Sequence, residues 1–123
     1  MNPSIPNKNI FIEDLHNMFS NIKANGNLDM NSPMLWGHFF THNEPSKLEA
    51  VIPALEKLGL RFVDIYLSDK DDPSEPDLFW LHMEEVRIHT PESLDQRNNE
   101  LFIFAHQEGL DSYDGMDAGP VAQ

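Results

Sequence analysis

Residues 61–88, "RFVDIYLSDKDDPSEPDLFWLHMEEVRI", limit the possible folds of this chain more than any other stretch. In its first part Val63, Ile65 and Leu67 alternate with Phe62, Asp64 and Tyr66. In its last part Phe79, Leu81 and Met83 alternate with Trp80, His82 and Glu84. A period of two places successive side chains on opposite sides of a strand, so each part predicts a strand with two unlike faces. The intervening acids and prolines are turn formers. Together they predict an antiparallel hairpin, one side apolar and the other mixing aromatic rings with charge.

The flanking segments supply helices to cover the apolar side. "NIFIEDLHNMFSNIKANG" spaces Ile12, Leu15, Phe19 and Ile22 by three or four residues, with Asn9 as the expected cap and Gly26 as the stop. "SKLEAVIPALEKLGL" opens on Ser46 and Glu49 in capping-box spacing and closes on Gly59, and Pro53 inside it should bend the helix. In "HTPESLDQRNNELFIFAHQEGL", Thr90 caps, Pro91 suits the first helical position, and Leu94, Leu101, Phe104 and Ala105 share a face before Gly109. "MLWGHFFTH" is short and aromatic, as a strand would be, but both of its sides are apolar. Either Trp36, His38 and Phe40 or Leu35, Gly37 and Phe39 could face the core. "DSYDGMDAGPV" supplies at most one edge strand and a tail.

The predicted order is helix, strand, helix, strand, strand, helix, strand. Without its first helix this is the split βαβ arrangement of the ferredoxin-like α+β fold, a four-stranded antiparallel sheet whose first strand lies between the third and fourth. At 123 residues the chain suits one core. Residues 1–9 are expected to form a flexible lead and residues 10–121 a single domain.

Charge and composition then narrow the function. Eight basic against twenty-one acidic residues leave a formal charge of −13, which disfavours nucleic acid and anionic membranes and favours a basic partner. There is no cysteine, so disulfides, thiolate metal sites and cysteine nucleophiles are excluded. With no basic-then-apolar leader and no long apolar run, a soluble cytoplasmic protein is expected.

Several constellations can be weighed on their chemistry. Asp69, Asp71, Asp72, Glu75 and Asp77 have the composition of a calcium loop, but an EF-hand starting at Asp69 would need glycine at Ser74 and glutamate at Trp80. A solvated hairpin tip that can also meet a basic partner fits better. Phe62, Asp64, Tyr66, Trp80, His82 and Glu84 should share the uncovered sheet face, where RNA-recognition modules would stack bases. Such modules pair their aromatics with basic residues, and these strands have almost none. The first helix, a protein partner or a second copy of the chain would instead cover that face. His38, His42, His82 and His89, with Asp64 and Glu84, are the candidates for a metal-dependent enzyme, but no pair has HxxxH spacing on a helix: His38 and His42 are four apart on an expected strand. No GxSxG elbow and no phosphate-binding glycine loop occurs. No catalytic, cofactor or metal site is therefore expected.

The order of elements, the early helix, the stretch "LGLRFVDIYLSD" and above all the ending "ELFIFAHQEGLDSYDGMDAGPV" resemble the regulator of ribonuclease activity B family, the ribonuclease E inhibitor RraB domains. The likeness runs from about Ile10 to Val121. It is sharpest where the last helix is followed by Tyr113, Asp114 and Gly115, with Met116 where members commonly carry tryptophan. The resemblance implies a bacterial, ferredoxin-like domain that binds the ribonuclease E scaffold and alters RNA decay without doing chemistry itself. An acidic domain suits such a basic partner, and the hairpin acids are the first expected contacts. Tyr113, Asp114 and Gly115 are expected to be mainly structural, Asp-Gly as a turn pair with the tyrosine packed beside the last strand. The same charge would also suit an immunity or antitoxin protein that blocks a basic nuclease toxin.

Overall fold

The computed structural model describes residues 5–26, 29 and 31–121. Strands β1 (Met34–His42), β2 (Arg61–Leu67), β3 (Phe79–Arg87) and β4 (Ser112–Gly119) form one antiparallel sheet in the order β2-β3-β1-β4. Helices α1 (Ile12–Asn25), α2 (Pro45–Lys57) and α3 (Pro91–Gln107) pack on one side of it. This is the ferredoxin-like arrangement, with β1 between β3 and β4 and one helix added before it.

Local chemistry accounts for the helix ends, not always as the sequence suggests. α1 begins at Phe11, whose backbone N–H donates to Asp14 Oδ2 at 2.8 Å, so the cap is a carboxylate reaching back and not Asn9. Pro45 fixes the first turn of α2 one residue before Ser46, and the expected Ser46–Glu49 box therefore has no helix start to cap. α2 runs on through Pro53, whose ring lies on its exposed side. α3 starts as expected: Ser93 N–H donates to Thr90 Oγ1 at 3.0 Å, and Thr90 N–H donates to Ser93 Oγ at 2.8 Å.

Register decides the ambiguous faces. Directly paired residues lie on the same side of a sheet, and Phe40 pairs with Leu81 while His38 pairs with Met83. Met34, Trp36, His38 and Phe40 consequently point toward the helices, all buried, while Leu35, Gly37 and Phe39 face the other way. A bulge in β2 changes the expected assignment there. Phe62 pairs with Met83 and Asp64 with His82, which leaves Val63 as the extra residue and moves Phe62 to the helix side. In β4 Phe40 pairs with Tyr113 and Phe39 with Gly115, so Asp114 is extra. The Asp-Gly pair expected as a turn is thus a bulge within a strand, and Gly115 adopts φ 124°, a conformation that disfavours a side chain.

Two apolar clusters lie between sheet and helices. Phe40, Leu81, Met83 and Tyr113 meet Leu48, Val51 and Leu55 of α2 and Leu101, Phe102 and Ala105 of α3. Trp36 and Met34 meet Leu15 of α1 and Leu94 of α3, with Phe19 stacked 5.9 Å from Trp36. The first helix therefore extends the helical layer beside α3 and leaves the opposite sheet face uncovered.

Between the apolar clusters lies a buried polar network centred on Glu85. Its Oε2 is 2.7 Å from His38 Nε2 and 3.4 Å from His89 Nε2, and Arg97 Nη2 donates to its Oε1 at 3.2 Å. Arg97 also donates to the Leu58 carbonyl at 2.5 Å, tying α3 to the end of α2. On the other side of His38, the Tyr113 hydroxyl lies 2.9 Å from Nδ1 and donates to Asn98 Oδ1 at 2.7 Å. Burial pushes the Glu85 carboxyl up, but hydrogen bonds from His38 and His89 and the positive charge of Arg97 outweigh it and hold the group well below the usual carboxylate range. Burial also lowers the His38 imidazole, against the pull of Glu85.

Both shifts mean that the unfolded chain binds more protons than the folded one in acid, so stability rises with pH. Denaturant midpoints should be flat above about pH 7, fall below the ordinary histidine value of 6.5 as His38 is forced to charge, and fall further below the ordinary glutamate value of 4.5. Glu85→Ala would leave Arg97 buried without its buried counter-charge, with only the half-exposed Glu100 carboxylate 3.7 Å away, at a cost of about 3–5 kcal/mol. Urea unfolding of both proteins across this pH range tests these expectations; a wild-type midpoint that rises in acid would contradict them.

Candidate functional site

The uncovered face of the sheet gathers aromatic rings into a strip. Tyr66 of β2 and Trp80 of β3 are paired across the strands, and their rings lie 6.4 Å apart with planes within 5°. Phe39 of β1 presents an edge to Trp80 at 6.3 Å and stacks on His82 at 4.6 Å. Four rings from three strands thus form a continuous band, because pairing of β2 with β3 and of β3 with β1 stacks their outward side chains side by side.

Carboxylates surround this band. Asp64 pairs with His82, Glu84 follows on β3, and Asp117 of β4 pairs with Gly37 of β1. Burial and then the negative charges of Asp117, Asp64 and Asp114 push the Tyr66 phenol up. Partial burial of its carboxyl likewise raises Asp114, although the residue as a whole is exposed. The balancing cation is Arg61, which bonds Glu84 Oε1 through both Nε and Nη2. At Gly37 the sheet surface sinks. A Cβ there would lie 2.5 Å from Asp117 Oδ1 and 2.8 Å from His82 Nε2, so only glycine lets these two side chains close over the strand.

The band runs into the acidic hairpin at its Tyr66–Trp80 end. Ser68 N–H donates to the Leu78 carbonyl at 2.8 Å and closes the loop. Ser74 N–H donates to Asp72 Oδ1 at 3.0 Å, the local turn that aspartate favours, and that bond lowers the Asp72 carboxyl. Asp69, Asp71, Asp72, Glu75 and Asp77 are all exposed, and Lys70 is ion-paired with Asp77. Hairpin and band together make one acidic, aromatic surface.

The sequence-predicted residues divide accordingly. Tyr66, Trp80, His82 and Glu84 share the face, as expected, and Phe62 does not. Tyr113 sits in the core on the buried network, while Asp114 is exposed at the bulge. The histidines considered together do not meet: His38 faces the helices, His82 faces out, and His42 accepts from Glu44 N–H at the end of β1. His38 and His89 do converge, but on Glu85, where Arg97 already supplies the cation. Among the described residues no three His, Asp or Glu side chains are arranged to hold a metal ion. No described helix is long and apolar enough to cross a membrane.

One residue of the face, Asp117, went unrecognised in the sequence, and Gly37 and Phe39 stood there only as one of two alternatives for β1. A glycine inside the aromatic run "MLWGHFFTH" was the available signal, because a strand interior tolerates glycine mainly where something approaches closely. For the network the signal lay in Arg97 and Asn98, which fall three and four residues after Leu94 on the apolar stripe of α3.

The two tryptophans report the two faces separately. Trp36 is fully buried and donates to the Arg87 carbonyl at 3.0 Å, whereas Trp80 is partly open to solvent. Acrylamide should quench part of the emission, and Trp80→Phe should remove that part while leaving the protected remainder. Complete quenching in Trp80→Phe would contradict the assignment.

Comparison with known proteins bears on all seven elements. No curated protein matches the chain. The model of the family described as Regulator of ribonuclease activity B matches residues 13–118 of the 123, from the first turn of α1 to the penultimate residue of β4. The match spans the sheet, the acidic hairpin and the Tyr113-Asp114-Gly115 segment, and by it the chain belongs to the RraB family of regulators of ribonuclease activity.

Proposed function

We propose that this protein regulates a ribonuclease in the cytoplasm by binding it, without chemistry of its own, through the acidic aromatic face and the adjoining hairpin. The observation that carries the reading is the uncovered strip of Tyr66, Trp80, Phe39 and His82, ringed by Asp64, Glu84 and Asp117. Aromatic rings set among charge of one sign suit a protein partner of the opposite sign better than they suit water. Nucleic acid is disfavoured on the same surface by the formal charge of −13. The family relation identifies a ribonuclease as what is regulated, and the charge points to a basic segment of that enzyme or of its scaffold as what is bound.

Binding of this kind gains encounter rate and selectivity from charge, and its affinity from the apolar rings. Calorimetric titration with the basic scaffold segment of the host's ribonuclease should show saturable binding. That binding should weaken as salt shortens the screening length from about 10 Å at 0.1 M toward about 3 Å at 1 M. Changing Asp69, Asp71, Asp72 and Glu75 to Asn or Gln should slow association while leaving folding nearly intact. Trp80→Ala should speed dissociation, and bound segment should protect Trp80 from acrylamide. Absence of binding at both low and physiological salt would overturn the reading.

A further inference from the structure

We propose that the cavity over Gly37 is a pocket for one arginine side chain of the bound protein segment; this rests on the reading above and names the side chain the face selects. The cavity, about 260 Å³, is lined by Leu35, Gly37, His82, Glu84, Asp117 and Pro120. At its base the Asp117 and His82 side chains close in over the Gly37 backbone, so near that a Cβ there would lie 2.5 Å from Asp117 Oδ1 and 2.8 Å from His82 Nε2. Its rim carries two carboxylates, on β3 and β4, either side of β1. One wall is the His82 ring, stacked on Phe39.

A guanidinium matches each of these surfaces. It is flat, so it can lie along an aromatic wall, and its fork of donors suits carboxylates approached from the side. The chain already shows the interaction at this rim: Arg61, whose side chain is 71% exposed, places Nε 2.9 Å from Glu84 Oε1 and bonds the same oxygen through Nη2. Asp117, across the cavity, takes part in none of the chain's described ion pairs. A lysine ammonium is a compact, strongly hydrated charge with no flat face, and would use the carboxylates but not the wall. The occupant is therefore an arginine of the partner, with Arg61 holding Glu84 in place beside it.

The test uses the full chain and two probes of equal charge, N-acetyl-arginine amide and N-acetyl-lysine amide, titrated while backbone amide resonances are followed by NMR. Arginine amide should shift Gly37, Phe39, His82 and Asp117 saturably, and lysine amide should bind about tenfold more weakly at the same residues. Asp117→Asn and Gly37→Ala should each weaken the arginine response about tenfold, the first by removing charge and the second by pushing the Asp117 and His82 side chains off their places. The retained spread of resonances reports that both variants fold. Equal shifts from the two probes, shifts confined to the hairpin acids, or no shifts at all would overturn the pocket.

The ribonuclease reading is separable. If the ribonuclease scaffold segment binds wild type and Gly37→Ala equally, the pocket assignment fails and the regulator reading stands. If arginine amide fills the pocket as described but no ribonuclease segment binds, the pocket stands and the regulator reading fails.

Discussion

The carboxylate of Glu85 is the point on which the separate parts of this fold converge. It sits on β3, yet its contacts belong to β1 through His38, to the segment before α3 through His89, and to α3 through Arg97. Arg97 extends the link to the end of α2 at Leu58, and Tyr113 and Asn98 extend it to β4. Apolar packing would hold helices on the sheet in many relative positions of similar energy, because it is non-directional. A buried charge satisfied from three directions adds directional contacts that the apolar layers lack. Through it the sheet is linked to α3 and to the end of α2, while α1 leans on α3 through apolar contacts.

Much of this architecture was legible in the sequence because it rests on periodicity. The alternation in residues 61–88 gave β2 and β3, and the spacing of Leu94, Leu101 and Ala105 gave α3 with its Thr90 cap. Errors arose where a single residue interrupts the period. Val63 and Asp114 are each extra in their strands, and nothing in local composition separates a bulge from regular alternation. Asp-Gly carried a strong turn signal at residues 114–115, yet pairing with β1 overrode it. At the helix starts of α1 and α2, several polar residues competed for one capping role, and the geometry chose Phe11 with Asp14, and Pro45, over the nominal candidates.

The surface was legible only in half. Tyr66, Trp80, His82 and Glu84 could be grouped by parity within one hairpin, since their relation is local. Phe39 and Asp117 belong to strands remote in sequence, and their place depended on register across β1, whose two apolar sides gave no orientation by themselves. Burying Trp36, His38 and Phe40 was resolved by partners: Trp36 found Phe19 and His89, and His38 found Glu85 and Tyr113. A histidine inside a core reads as an anomaly until its acceptor is known, and that acceptor lies 47 residues away.

The two bulges have a bearing on solubility. β2 and β4 are the outer strands of the sheet, and each is the strand that carries the irregularity. A flat outer strand offers its free backbone groups to the next molecule, and a sheet with rings on one bare face would be especially prone to grow sideways into fibres. The extra residues at Val63 and Asp114 bend both rims away from that geometry, with Arg61 and Asp64 on one rim and Asp114 and Asp117 on the other adding charge. Irregular, charged borders of this kind let a sheet keep an aromatic side open without offering its edges as templates.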